Sequence, residues 1–313
     1  MHTALAAAVG GGFASALFYL SVLFGGFGAL ILGYLTPLPL LAAGLSLGLT
    51  AALVGSVAGA VMVLGVSGSL TITGAYALTA AVPAVFTVRQ ALLARPRADG
   101  GLEWYPPGML LTGLTGLGIL GFVGAVALAV GEPGGLEGVV RRALGDMAAQ
   151  FAPPDAEPSA DTDHLWIAPA LPGFVVVSWM FMTIINGTLA QGVLMRFGRN
   201  RRPGMRITEL ELPRWLGPVY GTVVAMALAI PGDVGFLALN LGLILSVPFA
   251  FAGLSVVHAY ARARSTRTAI LVAFYMFLVL FGWPVVVLVG LGMIEQWMGL
   301  RRRWTTGPRQ EDE

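Results

Sequence analysis

The chain reads as a succession of long apolar runs with little polar punctuation. Before Arg89 it contains no Asp, Glu, Lys or Arg at all. Further uncharged runs cover 104–131, 164–195, 215–232, 234–261 and 268–294. A helix needs roughly 20 apolar residues, at ~1.5 Å each, to cross a hydrocarbon layer of ~30 Å. None of these runs alternates apolar with polar at a period of two, as the short strands of a membrane barrel do. In lipid every backbone N–H and C=O must find a partner within the protein, which a helix provides for itself. The pattern therefore predicts an all-α, polytopic transmembrane helix bundle with about 8–10 hydrophobic segments, some of them broken by Pro.

The first 88 residues hold about four crossings. The first runs from about Leu5 to Phe24. The second begins near Gly28 and meets Pro37 and Pro39, which lack a backbone donor and clash with the preceding turn, so an interruption inside the membrane is expected. Apolar helix resumes to about Gly65, and Ser67-Gly68-Ser69 turns the chain into a span ending near Leu92. A short polar loop with Arg89, Arg95 and Arg97 follows, then a span opened by Pro106-Pro107 and ending near Val130.

Four regions follow. Residues 1–130 carry N-terminal transmembrane helices, 131–164 an extracytoplasmic segment, 165–300 C-terminal transmembrane helices and 301–313 a cytoplasmic tail. In the second region Leu136, Val140, Leu144, Met147 and Phe151 recur at helical spacing, with Glu137, Arg141 and Asp146 off that stripe. This pattern predicts a helix lying at the membrane surface. Pro153 to Asp163 is rich in Pro, Asp and Glu and is expected to be a disordered linker. Its acids Asp155, Glu157, Asp161 and Asp163, with His164, read as a solvated linker in preference to a cation site.

Composition sharpens the picture in two places. Charged residues make up 11% of the chain, against about 25% in soluble domains. Absence of Cys excludes disulfides and thiolate metal sites. No basic segment precedes the first apolar run, so that run is expected to stay as a helix and not to be cleaved. All basic residues besides His are Arg, and they cluster in the loops at 89–106, 196–214 and 261–267. By the positive-inside tendency those loops are cytoplasmic and 131–164 is outside. The run 268–294, interrupted by Gly282-Trp283-Pro284, either crosses once or folds back. The fold-back, with Arg301, Arg302 and Arg303 inside, is the favoured expectation.

Candidate chemistry is sparse. Ionisable groups at membrane depth mark pumps and ion-coupled carriers, and this chain has almost none. Asp233 sits at a turn, Glu295 lies just before the Arg301 triplet as its expected surface partner, and His258 lies one turn before Arg262. The uncharged amides offer more. Asn186 lies ten residues before Arg196, near mid-membrane, with Thr183 one turn earlier on the same face, and Asn240 lies in the outer half of its span. Buried amides require partners. They serve either as interhelical hydrogen bonds, at ~0.6 kcal/mol on average, or as the polar lining of a ligand site. Discontinuous helices often border such sites in transporters. The candidate ligand-binding residues are accordingly Asn186, Thr183, Asn240, Pro37 and Pro39. Small-residue spacings at Gly44/Gly48, Gly55/Gly59 and along Gly113, Gly116, Gly121 and Gly124 permit close helix approach.

Several stretches resemble the YybS-like family of uncharacterised bacterial multi-pass membrane proteins. They are Leu35-Thr36-Pro37-Leu38-Pro39, then Asn240 through Leu254-Ser255-Val256-Val257-His258, and Gly292-Met293-Ile294-Glu295 ahead of Arg301-Arg302-Arg303. That family is distantly similar to the substrate-binding subunits of energy-coupling-factor vitamin transporters. The resemblance implies a transport-like bundle in a bacterial inner membrane. In those subunits an Ala-x-x-x-Ala pattern on the first helix meets the energising subunit, and Ala4 and Ala8 have that spacing.

Two functional expectations stand. One is a transport-like protein binding a small neutral solute. The alternative is an envelope scaffold without a ligand, meeting cytoplasmic or membrane partners, or anionic lipid, through its Arg-rich loops. No acid, base or metal constellation lies at membrane depth, so neither an enzyme nor a cofactor is expected. The partners expected are the lipid bilayer and proteins, not nucleic acid. The topology is testable because the chain has no native Cys. A single Met205→Cys should react with an impermeant thiol reagent only after the membrane is opened, and labelling of intact cells would reverse the arrangement.

Overall fold

The computed structural model describes residues 2–151 and 167–301. Within them seven helical stretches are long and apolar enough to cross a membrane, and three shorter apolar helices accompany them. The protein is a polytopic membrane protein of the all-α class. Large apolar side chains such as Phe24, Leu128, Leu228 and Val279 lie exposed, as a lipid-facing surface requires and a soluble one rarely allows. The chain divides into two compact units, 1–114 with 179–209, and 115–178 with 210–313.

The first unit opens with α1 (His2–Ser21), α2 (Phe27–Tyr34), α3 (Pro37–Leu47), α4 (Leu49–Ser67), α5 (Leu70–Tyr76) and α6 (Val82–Ala91). Helices α2 and α3 together form one apolar stretch, Phe27–Leu47. It is interrupted at Leu35–Thr36, and Pro37 occupies the first turn of α3, where its missing N–H matters least. The interruption expected from Pro37 and Pro39 is present.

The turn between α3 and α4 was not legible in the sequence, because nothing polar marks it. A single residue, Gly48, carries it at φ +107°, a conformation that only glycine adopts readily. Gly44 and Ala52 then face each other at close range, so α3 and α4 form an antiparallel pair. Helix α1 lies beside α4 at backbone contact: a Cβ on Gly12 would strike the Gly55 carbonyl, and one on Gly59 would meet the Gly12 carbonyl. Gly59 meets Gly12 as Gly55 meets Ala8, so the two helices run parallel. The Gly55/Gly59 spacing thus marks a real contact. Leu40, Leu41, Val63, Tyr76, Ala84 and Val88 fill the core between these helices.

A short antiparallel hairpin, β1 (Ala94–Pro96) with β2 (Leu102–Trp104), occupies what the sequence suggested was a plain polar loop. Arg95 and Glu103 pair across it at 2.9 Å, and that bond holds the Glu103 carboxyl below its usual range. Helix α7 (Pro107–Leu128) follows, then α8 (Gly135–Phe151), which covers the amphipathic stripe. The acidic linker and Arg302, Arg303 and the tail beyond them lie outside the described residues. Helix α9 (Leu171–Arg196), like α7, contributes residues to both units.

The second unit contains α10 (Leu216–Ala229), α11 (Gly232–Arg262), α12 (Arg267–Phe281) and α13 (Pro284–Met298). Tyr220 stacks on Phe249 at 4.8 Å, within a core that includes Leu216 and Leu245. Helix α13 packs on α11 at backbone contact. A Cβ on Gly253 would strike the Leu288 carbonyl, and one on Gly292 the Phe249 carbonyl. Gly292 thus lies against both Phe249 and Gly253, and the far end of α13 meets Pro213 and Gly217 at the start of α10. Two glycines, invisible to a reading of hydropathy, admit this backbone contact.

These contacts set expectations for substitution. Gly55→Val and Gly253→Ala each place carbon where a carbonyl of the facing helix stands, and should cost about 1–3 kcal/mol through overpacking. Gly65→Ala meets open space and should be neutral or slightly stabilising in the helix. Thermal unfolding in detergent checks the contrast, which equal midpoints for all three variants would remove.

Candidate functional site

The five residues picked out in the sequence fall into two groups. Pro37, Pro39, Thr183 and Asn186 belong to the first unit and Asn240 to the second.

In the first unit, proline opens two gaps in helical bonding, and α9 closes both. Between α2 and α3, the Leu38 N–H turns to the Leu35 carbonyl. That leaves the Tyr34 carbonyl without the donor four residues on. Asn186 is fully buried and donates to it through Nδ2 at 2.8 Å; its second amide hydrogen goes to Met182 O at 2.7 Å. Ser15 Oγ, from α1, donates to the Thr36 carbonyl at 2.7 Å and accepts from the Tyr76 hydroxyl at 3.0 Å. The second gap lies one span on. Pro83 has no N–H for the Thr79 carbonyl, and residues 77–81 adopt a wider π-type turn. The Trp179 indole donates to Thr79 O at 2.9 Å. Thr183, between Trp179 and Asn186, bonds only back along its own helix, to Trp179 O at 3.0 Å. Pro39 borders a shallow groove with Ala7, Gly11 and Ala43.

The loop after α9 continues the pattern. Arg201 Nε donates to Ser46 O at 3.0 Å, near the end of α3, and its guanidinium lies over the Gly48 turn. Arg202, 5% exposed, donates to Ala91 O at the end of α6 and to Tyr105 O, at 3.0 and 2.8 Å. Cations at helix C-termini satisfy orphan carbonyls and complement the helix dipole. Burial lowers the Arg202 guanidinium from its usual value. Its own carbonyl accepts from Gln191 and Asn200, at 2.7 and 2.9 Å. The loops at 89–106 and 196–209 therefore lie at one end of this unit, as a shared compartment requires. Two of the arginines in these loops are helix caps.

In the second unit Asn240 caps another helix in trans. Its Oδ1 accepts from Gly173 N at 2.6 Å, one of the orphan donors in the first turn of α9. Its Nδ2 donates to Pro169 O at 2.9 Å and Phe236 O at 2.8 Å. Gly173 is tightly enclosed, with Asn240 Oδ1 2.9 Å from where a Cβ would stand. Every amide hydrogen of Asn240 is committed to backbone.

The polar cavity lies elsewhere, in residues that the sequence did not single out as a site. A pocket of about 560 Å³ is formed by the 210–214 segment, the middle of α11 at Ala252, and the end of α13 from Glu295 to Arg301. Glu295 is 6% exposed and accepts from Arg301 twice, from Nε at 2.7 Å and from the backbone N–H at 3.1 Å. The expected Glu295–Arg pair exists, but it is a shielded pair in a pocket wall and not a surface one. Gln296 donates to Pro213 O at 2.7 Å, while its Oε1 is buried and meets no partner. Arg214, Glu211 and Trp297 complete the wall. Among the described residues the lining holds two acids and two arginines, whose formal charges balance. The only hint of it in the sequence was Glu295 ahead of Arg301; the rest comes from segments far apart in the chain.

Residues 165–295 match the family described as "Predicted membrane protein (DUF2232)". The match covers Glu211, Arg214, Ala252 and Glu295 of the pocket, and less than half of the chain. It does not carry the YybS-like name or the likeness to vitamin-transporter subunits. No curated protein matches the chain, and no solved structure does.

The caps can be ranked. Asn240→Leu or Arg202→Met strands two buried backbone groups, and each should cost on the order of 1–3 kcal/mol. Thr183→Val removes only a bond within its own helix and should cost less than about 1 kcal/mol. Unfolding midpoints in detergent give the order, and a Thr183 variant as damaged as the others would refute the assignment of the caps.

Proposed function

We propose that this protein is a transport-type, solute-binding protein of a bacterial inner membrane, and that its solute occupies the Arg214–Glu295–Arg301 pocket. One observation carries the reading: a polar cavity large enough for a small molecule, walled by the Glu295–Arg301 pair, Arg214, Glu211 and Gln296. Balanced lining favours a solute without net charge. Trp297 adds a flat apolar surface with one donor.

This reading moves the ligand away from Asn186 and Asn240, whose amide hydrogens are all used on backbone carbonyls. It involves no catalysis and no cofactor. The scaffold alternative gains less support, because Arg201 and Arg202 are turned inward as caps and are not presented to a partner.

Small molecules released from the detergent-purified protein and identified by mass spectrometry test the proposal. A compound enriched with wild type should fall about tenfold or more, equivalent to ~1.4 kcal/mol, in Gln296→Leu and in Arg214→Ala. It should persist in Arg206→Ala, outside the pocket. Equal release from all variants, or nothing above a mock purification, would remove the support for a solute site.

A further inference from the structure

The interruption between α2 and α3 contains two oxygens that the protein leaves unpaired. Asn186 commits both amide hydrogens and has no partner for Oδ1, and Thr36, 2% exposed, has none for Oγ1. Asn186 holds the carbonyl of Tyr34, two residues before Thr36, so both orphans belong to the same break. One is a hydroxyl in need of an acceptor and the other an amide oxygen in need of a donor. They are not bonded to each other.

We propose that this break binds a buried water, which accepts from Thr36 Oγ1 and donates to Asn186 Oδ1. Left dry, each group would carry the full cost of losing its hydration, whereas an ordered water loses little entropy on binding. Buried waters typically bridge such otherwise unsatisfied groups. A cation could also coordinate both oxygens, but it would enter a stretch with no Asp or Glu before Asp99, and an uncompensated buried charge is far more costly than a water. The water extends an existing chain of polar contacts: Tyr76 hydroxyl to Ser15 Oγ, and Ser15 Oγ to Thr36 O. Side chains from α1, α5 and α9 thus converge with a solvent molecule on one broken span, and the gap left by Pro37 and Pro39 is filled without a continuous helix. This inference is independent of the pocket in the second unit.

Thr36→Val decides the matter by sign. Thr36 makes no capping bond to α3 through its side chain, so valine removes no cap and keeps the shape. With the water present, valine strands Asn186 Oδ1 and should lower the unfolding midpoint by about 2–4 °C, while Thr36→Ser should behave as wild type. In a dry site valine replaces an unpaired hydroxyl with a methyl group, and an unchanged or raised midpoint would overturn the proposal. Titration of wild type with sodium and potassium separates the other guest. A midpoint that rises with one cation, and no longer does so in Thr36→Val, would assign the site to that ion and overturn the water.

Discussion

In hydrocarbon no water stands ready to accept or donate a hydrogen bond, so every backbone group must be satisfied within the protein. That single constraint explains why the few polar side chains of the first unit sit where they do. Pro37, Pro39 and Pro83 each withhold a donor from a helix. The carbonyls exposed at Tyr34 and Thr79 are met by Asn186 and Trp179, two residues of one helix, α9. Just past its end, Arg201 and Arg202 close the carboxyl ends of α3 and α6. One continuous stretch of chain thus mends two proline breaks and caps two helix ends. Its polar residues are widely spaced because the defects it serves are.

Packing follows a second rule of the same environment. Lipid tails compete with leucine on equal terms, so helices are held by close contact and not by expulsion of water. Glycine supplies that contact. Gly12, Gly55 and Gly59 bring α1 and α4 to backbone distance, and Gly253 with Gly292 does the same for α11 and α13. The second pair has a consequence beyond stability: it seats α13 on α11, so that Glu295 and Arg301 share a pocket wall with Ala252.

There the economy of polar groups changes character. In the first unit nearly every buried amide hydrogen or guanidinium is spent on backbone. In the second, Asn240 is spent in the same way on Gly173 and Pro169, but the Glu295–Arg301 pair and Gln296 border open volume. Open volume beside polar side chains is what separates this wall from the structural caps.

Hydropathy alone determined that the chain is a helical membrane protein, because spans of ~20 uncharged residues have no other economical solvent. It also placed the break at Pro37, since a missing N–H is a local property of one residue. The role of the amides could not be read in the same way. Asn186 and Asn240 are visible as polar residues at depth, but whether they bind a solute or a carbonyl depends on which backbone group faces them across tens of residues. The hairpin at Gly48 lay hidden because no polar residue marks it, and the packing of α13 on α11 because it depends on two glycines meeting carbonyls of the facing helix. The pocket draws on 210–214, Ala252 and 295–301, which only tertiary packing brings together. Solvent preference and missing donors belong to single residues and short windows, and these the sequence determines by itself; which donor meets which acceptor is a property of pairs, and that was decided by the fold.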